Sequence, residues 1–160
     1  MKKNIFTLMV ILWMAIIFSF SAQPADESEQ MSLSVGHVAG LLFADGYEDW
    51  PQERQDAFAE RIDHVVRKAA HFTEYAVLGV LLALMYRAYG HKGKRLFLLS
   101  AGTGSLYAAT DEFHQLFVEG RSCQLTDWGI DTCGVIAGAA VVFLLWRVVG
   151  RRGGETPVKV

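Results

Sequence analysis

The chain has 160 residues, 52% of them hydrophobic and 20% charged, with a mean hydropathy of +0.24 and a formal net charge of −2. That length suits one domain, but apolar content this high and this blocky excludes an ordinary soluble one. The balanced charge gives nucleic acid no footing, and two cysteines, Cys123 and Cys133, are too few for a disulfide framework or a zinc-type motif. There is no P-loop and no GxGxxG.

The first apolar run, residues 4–22 ("NIFTLMVILWMAIIFSFSA"), follows the basic start Met1-Lys2-Lys3. A cleaved signal peptide and a retained membrane helix both fit. The run is long enough to span, and Phe20 is bulky where cleavage after Ala22 wants a small residue, so residues 1–22 read as retained. Residues 31–43 are mostly apolar with small residues, as in a short helix at the membrane surface or re-entering it. "ADGYEDWP" is a turn by its Gly and Pro. Pro51 suits the first position of a new helix. Phe58, Ile62, Val65, Ala69 and Phe72 then recur at helical spacing, which carries that helix into a second apolar segment, about 69–87.

The third segment runs over about 96–117 and the fourth over about 128–146. Each is roughly long enough to cross a membrane. The alternative, a soluble bundle of buried helices, would need a regular polar face that these runs lack. With the N-terminus in the cytoplasm and four spans, Lys2, Lys3, Arg87, Lys92, Lys94, Arg95, Arg147, Arg151, Arg152 and Lys159 fall inside. Arg54, Arg61, Arg67, Lys68 and Arg121 fall outside, so the 15 basic residues divide ten to five. That excess predicts both termini inside.

Each of the last three segments carries ionisable groups, which are costly in a bilayer and usually functional. Arg87 to His71, Arg95 to Asp111 and Arg147 to Asp131 are each 16 residues. At the helical rise each interval is about 24 Å, which puts three polar groups at one height just below the outer surface. Helical spacing puts Lys68, His71 and Tyr75 on one face, with Glu74 three residues from His71. It likewise groups Asp111 with His114 and Gln115, places Glu112 beside Gln115, and sets Asp127 four residues before Asp131. Arg121 sits in the short outer loop "VEGRSCQLTD". The expected site is an outward-facing polar pocket between the second, third and fourth membrane helices.

These residues carry a family resemblance. "FSFSAQPADESEQMS", "RKAAHFTEYAVLG" and "YAATDEFHQLFVEGRSCQLTDWGIDTCGVIAG" resemble the VanZ-like membrane family, across most of residues 11–138. The specific parts are Lys68-x-x-His71-x-x-x-Tyr75 and Asp111-Glu112-x-x-Gln115, followed by Arg121, Asp127, Asp131 and Gly134. The resemblance implies a multi-pass protein of the cytoplasmic (inner) membrane, with a VanZ-like domain over 4–150 and a basic cytoplasmic tail over 151–160. More loosely, it implies an envelope role or resistance to teicoplanin-type glycopeptides. It carries over no reaction mechanism.

The expectation is therefore an all-α integral membrane bundle of four transmembrane helices, with a surface or re-entrant helix in the first outer loop. Three roles for the polar cluster stay open. It is a structural network of paired charges. Or it binds an envelope amphiphile such as a lipid-linked cell-wall precursor or a lipoglycopeptide, with Lys68 and Arg121 on the head group. Or it belongs to a hydrolase or transferase acting on a lipid-linked substrate, with a hard divalent metal on Asp111, Glu112, Asp131 and His71. No nucleophile arrangement and no HExxH motif accompany the third. Gly134 and Gly138 form a GxxxG expected to admit a neighbouring helix of the same bundle, with a homodimer as the lesser option. A Cys123–Cys133 disulfide is open in an oxidising compartment, although Cys133 falls inside the fourth helix.

Overall fold

The computed structural model describes residues 2–152, with side chains for 2–149. The expected tail, 151–160, lies outside this range apart from the helical backbone of 151 and 152. Five α-helices follow one another: α1 (Lys2–Ser21), α2 (Ala25–Phe43), α3 (Gln52–Ala88), α4 (Gly93–Gln115) and α5 (Leu125–Arg152). A single 3-10 turn, Tyr47–Asp49, joins α2 to α3. No strand occurs among the described residues.

Three helices are long and apolar enough to cross a membrane: α1, α3 and the Leu125–Val149 part of α5. α4 has 23 residues, about 34 Å, so its length would suffice. Composition separates it from the others. Ser100, Gly102, Thr103, Gly104, Ser105, Thr110, Asp111 and Glu112 dilute its leucines. Its outward face is nonetheless apolar, with Leu98, Leu106 and Phe113 all exposed.

The surface-helix expectation over 31–43 falls short of α2, which begins six residues earlier at Ala25. Asp26 and Glu27 in its first turn favour that start, because carboxylates suit the positive end of a helix. Pro51 is the cap before α3 rather than its first residue. α3 then runs unbroken for 37 residues, about 55 Å. That exceeds a hydrocarbon core by about 25 Å. α2 packs against the excess through its small residues: Gly36 sits on Ala59, and the Ser32 hydroxyl donates to the Asp63 carboxylate.

The core is glycine-spaced and aliphatic. α5 lies directly on α3, because a Cβ on Gly134 or Gly138 would run into the carbonyl oxygens of Phe72 and Ala76. Gly79 of α3 makes the same allowance for the Val135 backbone, and Gly104 of α4 for the Val135 side chain. The GxxxG thus serves a neighbouring helix within the chain. Val10 and Ile17 of α1 join Tyr75, Leu78, Leu82, Ala108 and Val135 in one cluster. Two polar side chains also tie α1 in. Trp13 Nε1 donates to the Glu74 carbonyl (2.9 Å), and the Tyr107 hydroxyl donates to the Met14 carbonyl (2.7 Å). Cys123 and Cys133 are both free and exposed.

Candidate functional site

α3 meets its neighbours at three successive levels near one end of the bundle. The Lys68 ammonium pairs with the Asp127 carboxylate of α5. One turn on, His71 Nδ1 lies 3.5 Å from Asp131 Oδ1, again on α5. One further turn along, the Tyr75 hydroxyl donates to Asp111 Oδ2 of α4 at 3.0 Å. The 16-residue intervals in the sequence therefore bring His71 and Asp131 to one level and Asp111 to within about a turn of it.

The α4–α5 loop is folded back over this end of the bundle. Gly120 has a left-handed backbone (φ +71), and a Cβ there would crowd the Ala25 side chain. Beside it, the Ala25 amide donates to the Glu119 carbonyl (3.1 Å), which fastens the start of α2 to the loop. The Gln124 amide donates to Glu112 Oε2 (2.8 Å), and Gln115 Nε2 donates to the Ser21 hydroxyl (3.2 Å). These contacts set Arg121 above the bundle. Its Nε donates to the Gln23 carbonyl (3.3 Å), and among the described residues no carboxylate forms an ion pair with it. Burial holds the Arg121 guanidinium below the ordinary arginine range, and the neighbouring charge of Arg67 acts in the same direction.

Beneath Arg121 is a cavity of about 140 Å³. Ile17, Phe20, Met31, Val35 and Val66 supply apolar wall. Arg67, His71, Glu74, Asp111 and Arg121 supply the charged and titratable wall. Arg67 is itself held by Asp63 at 2.7 Å. Asp111 is only 3% exposed, and its Oδ1 has no hydrogen-bond partner although the Ser21 hydroxyl lies close by. Other buried polar atoms are also unbonded: His71 Nδ1, Glu112 Oε1, His114 Nε2 and both oxygens of Asp131. Buried polar atoms are normally satisfied, so several orphans near one end of the bundle are unusual.

A family model described as VanZ/LLP1 matches residues 6–147. The chain belongs to the VanZ/LLP1 family. No curated protein and no solved structure matches it. In this VanZ-family chain the residues picked from sequence divide into two groups. His71, Glu74, Asp111 and Arg121 line the cavity; Lys68, Tyr75, Glu112, Gln115, Asp127 and Asp131 do not. The expected pocket between the last three membrane helices is accordingly corrected. Its walls come from α1, α2, α3, α4 and the loop, and α5 contributes none of them.

The expectation that Lys68 faces a ligand gives way to Arg67, one residue earlier. Neighbouring helical positions point about 100° apart, and Lys68 is turned to Asp127. Ser28, Ser32 and Arg67 were missed in the sequence. Their only signal is the long helix 52–88, whose partner along the outer half had to be α2. His114 stacks on Phe18 with ring centroids 4.5 Å apart, a packing role. Among the described residues no three His, Cys, Asp or Glu side chains converge as metal ligands, and the Asp111, Glu112, Asp131 and His71 set of the third open reading is not gathered as one.

Proposed function

We propose that this membrane protein binds an envelope amphiphile, whose anionic head group enters the cavity under Arg121 while its tail lies along the apolar helix faces. The observation that carries this reading is Arg121: a half-buried cation with no carboxylate in ion-pair contact among the described residues, next to a second guanidinium, over a cavity with apolar walls. A buried charge calls for a partner, and arginine suits phosphate and carboxylate oxygens. In this reading α4 is the fourth span, carried by its apolar outward face. Both termini are cytoplasmic, following the ten-to-five division of the 15 basic residues. The protein sits in the inner membrane with the cavity on the outer side. A contribution to teicoplanin-type resistance, which the family's name suggests, would follow from holding a lipid-linked cell-wall precursor or a lipoglycopeptide.

A second reading, a charge network with no ligand, is favoured by the cross-helix Lys68–Asp127 and Tyr75–Asp111 contacts. Thermal unfolding of the detergent-purified protein separates the two. Lipid-linked precursor, teicoplanin and bilayer phospholipids are each added to wild type and to Arg121→Ala. A ligand of the folded state stabilises by about 2.7 kcal/mol at a hundredfold excess over its Kd. A rise in wild type that disappears in Arg121→Ala supports binding. No rise with any of them leaves the network reading.

A further inference from the structure

Two kinds of unmet charge share the cavity. Arg121 is a cation that no described carboxylate contacts as an ion pair, while Arg67 beside it is already held by Asp63. Facing them are two acidic side chains with open acceptors. Glu74 forms no ion pair among the described residues. Asp111 is almost wholly buried, with Tyr75 on Oδ2 and only the nearby Ser21 hydroxyl, not in hydrogen-bond geometry, beside Oδ1. An anion alone would answer Arg121 and worsen the position of the carboxylates. A cation alone would do the reverse.

Size narrows the choice. A dry cavity of about 150 Å³ takes a ring the size of benzene. The cavity here, about 140 Å³ and open on one side, accordingly encloses a group of several heavy atoms, and any larger part of a ligand lies outside it. From these observations we infer that the cavity is built for a small aminophosphate, the phosphoethanolamine head of a membrane lipid. Its phosphate sits on Arg121 and Arg67, and its primary ammonium donates to Glu74 and Asp111 Oδ1. A trimethylammonium head has no N–H to donate and is bulkier, and a glycerol head brings no positive charge. This inference rests on the amphiphile reading above and names the ligand class for the same site.

The test uses the full-length protein in non-ionic detergent micelles doped with one phospholipid at a time, all with the same acyl chains. Phosphatidylethanolamine, phosphatidylcholine, phosphatidylglycerol and phosphatidic acid are compared by thermal shift and by retention in native mass spectrometry. Soluble O-phosphoethanolamine forms a separate arm. Phosphatidylethanolamine should bind about tenfold or more tighter than phosphatidylcholine, the size expected for a charged hydrogen bond lost. Glu74→Gln should erase most of that preference and keep phospholipid binding. Arg121→Ala should weaken every phospholipid alike.

Equal binding of all four lipids, or preference for phosphatidic acid or phosphatidylglycerol, would overturn the aminophosphate assignment and leave amphiphile binding standing. No response to any lipid or to the soluble head group would overturn both. A response to O-phosphoethanolamine without one to the lipid would support the head-group chemistry and overturn the lipid source. Asp111→Asn is held as a third variant. Should it unfold, Glu74→Gln still decides the matter, because Glu74 makes no side-chain bond to another helix among those described.

Discussion

The two halves of the bundle are held together differently. Around Gly79, Leu82, Ala83, Val135, Ala139 and Val142 the contact is by shape, with glycines letting backbones approach and apolar atoms filling the rest. Around Lys68, His71, Tyr75, Asp111, Glu112 and Asp131 the contact is by charge and hydrogen bond, and several polar atoms are left over. A chain that can close one half with glycine and valine has no packing need for carboxylates in the other. The difference is what the proposed ligand site in the polar half rests on.

That contrast can be broken by substitution. The largest effect is expected from Gly138→Ala, whose new methyl meets the Ala76 carbonyl oxygen. A loss of about 3 kcal/mol, at the upper end for overpacking, should appear as a large drop in melting temperature and in membrane abundance. Next comes Tyr75→Phe, which strips the hydroxyl that donates to Asp111 Oδ2. The cost should be about 1–3 kcal/mol, the penalty of an unsatisfied buried acceptor, read by the same unfolding assay. Lys68→Met should cost about 1 kcal/mol or less, because the pair with Asp127 is a quarter exposed on both sides. A double-mutant cycle with Asp127→Asn checks it. Arg121→Ala should change stability least, within about 0.5 kcal/mol, and ligand response most. If Lys68→Met and Arg121→Ala proved as damaging as Gly138→Ala, the halves would be equivalent scaffolds and the contrast would fail.

The fold was readable because its signals are local. Four apolar runs, the Pro51 boundary and equal 16-residue intervals from basic residues are features of the chain itself. They point to the long helix 52–88 and to the gathering of His71, Asp111 and Asp131 near one end of the bundle. What could not be read depended on rotation and on distant contacts. Whether Arg67 or Lys68 faces the cavity turns on how α3 is rotated against α5, which Gly134 and Gly138 fix from some 65 residues away. That α2 forms a wall depends on the Ala25–Glu119 hydrogen bond across the top of the bundle. The spacing of charges fixed their height but not their facing.

The composition of α4 bears on how the chain is made. A helix with Asp111 and Glu112 near one end and a run of serine, threonine and glycine through its middle has little to gain from lipid as a solitary segment. α1, α3 and α5 can each partition on their own. α4 can settle only when its polar face has α5 and α3 to lie against, at the Ser105–Thr132 and Tyr75–Asp111 contacts. With α4 as the fourth span proposed above, its insertion would wait on synthesis of α5. On that reading a nascent chain halted before α5 would hold α1 and α3 in the bilayer with α4 still outside it.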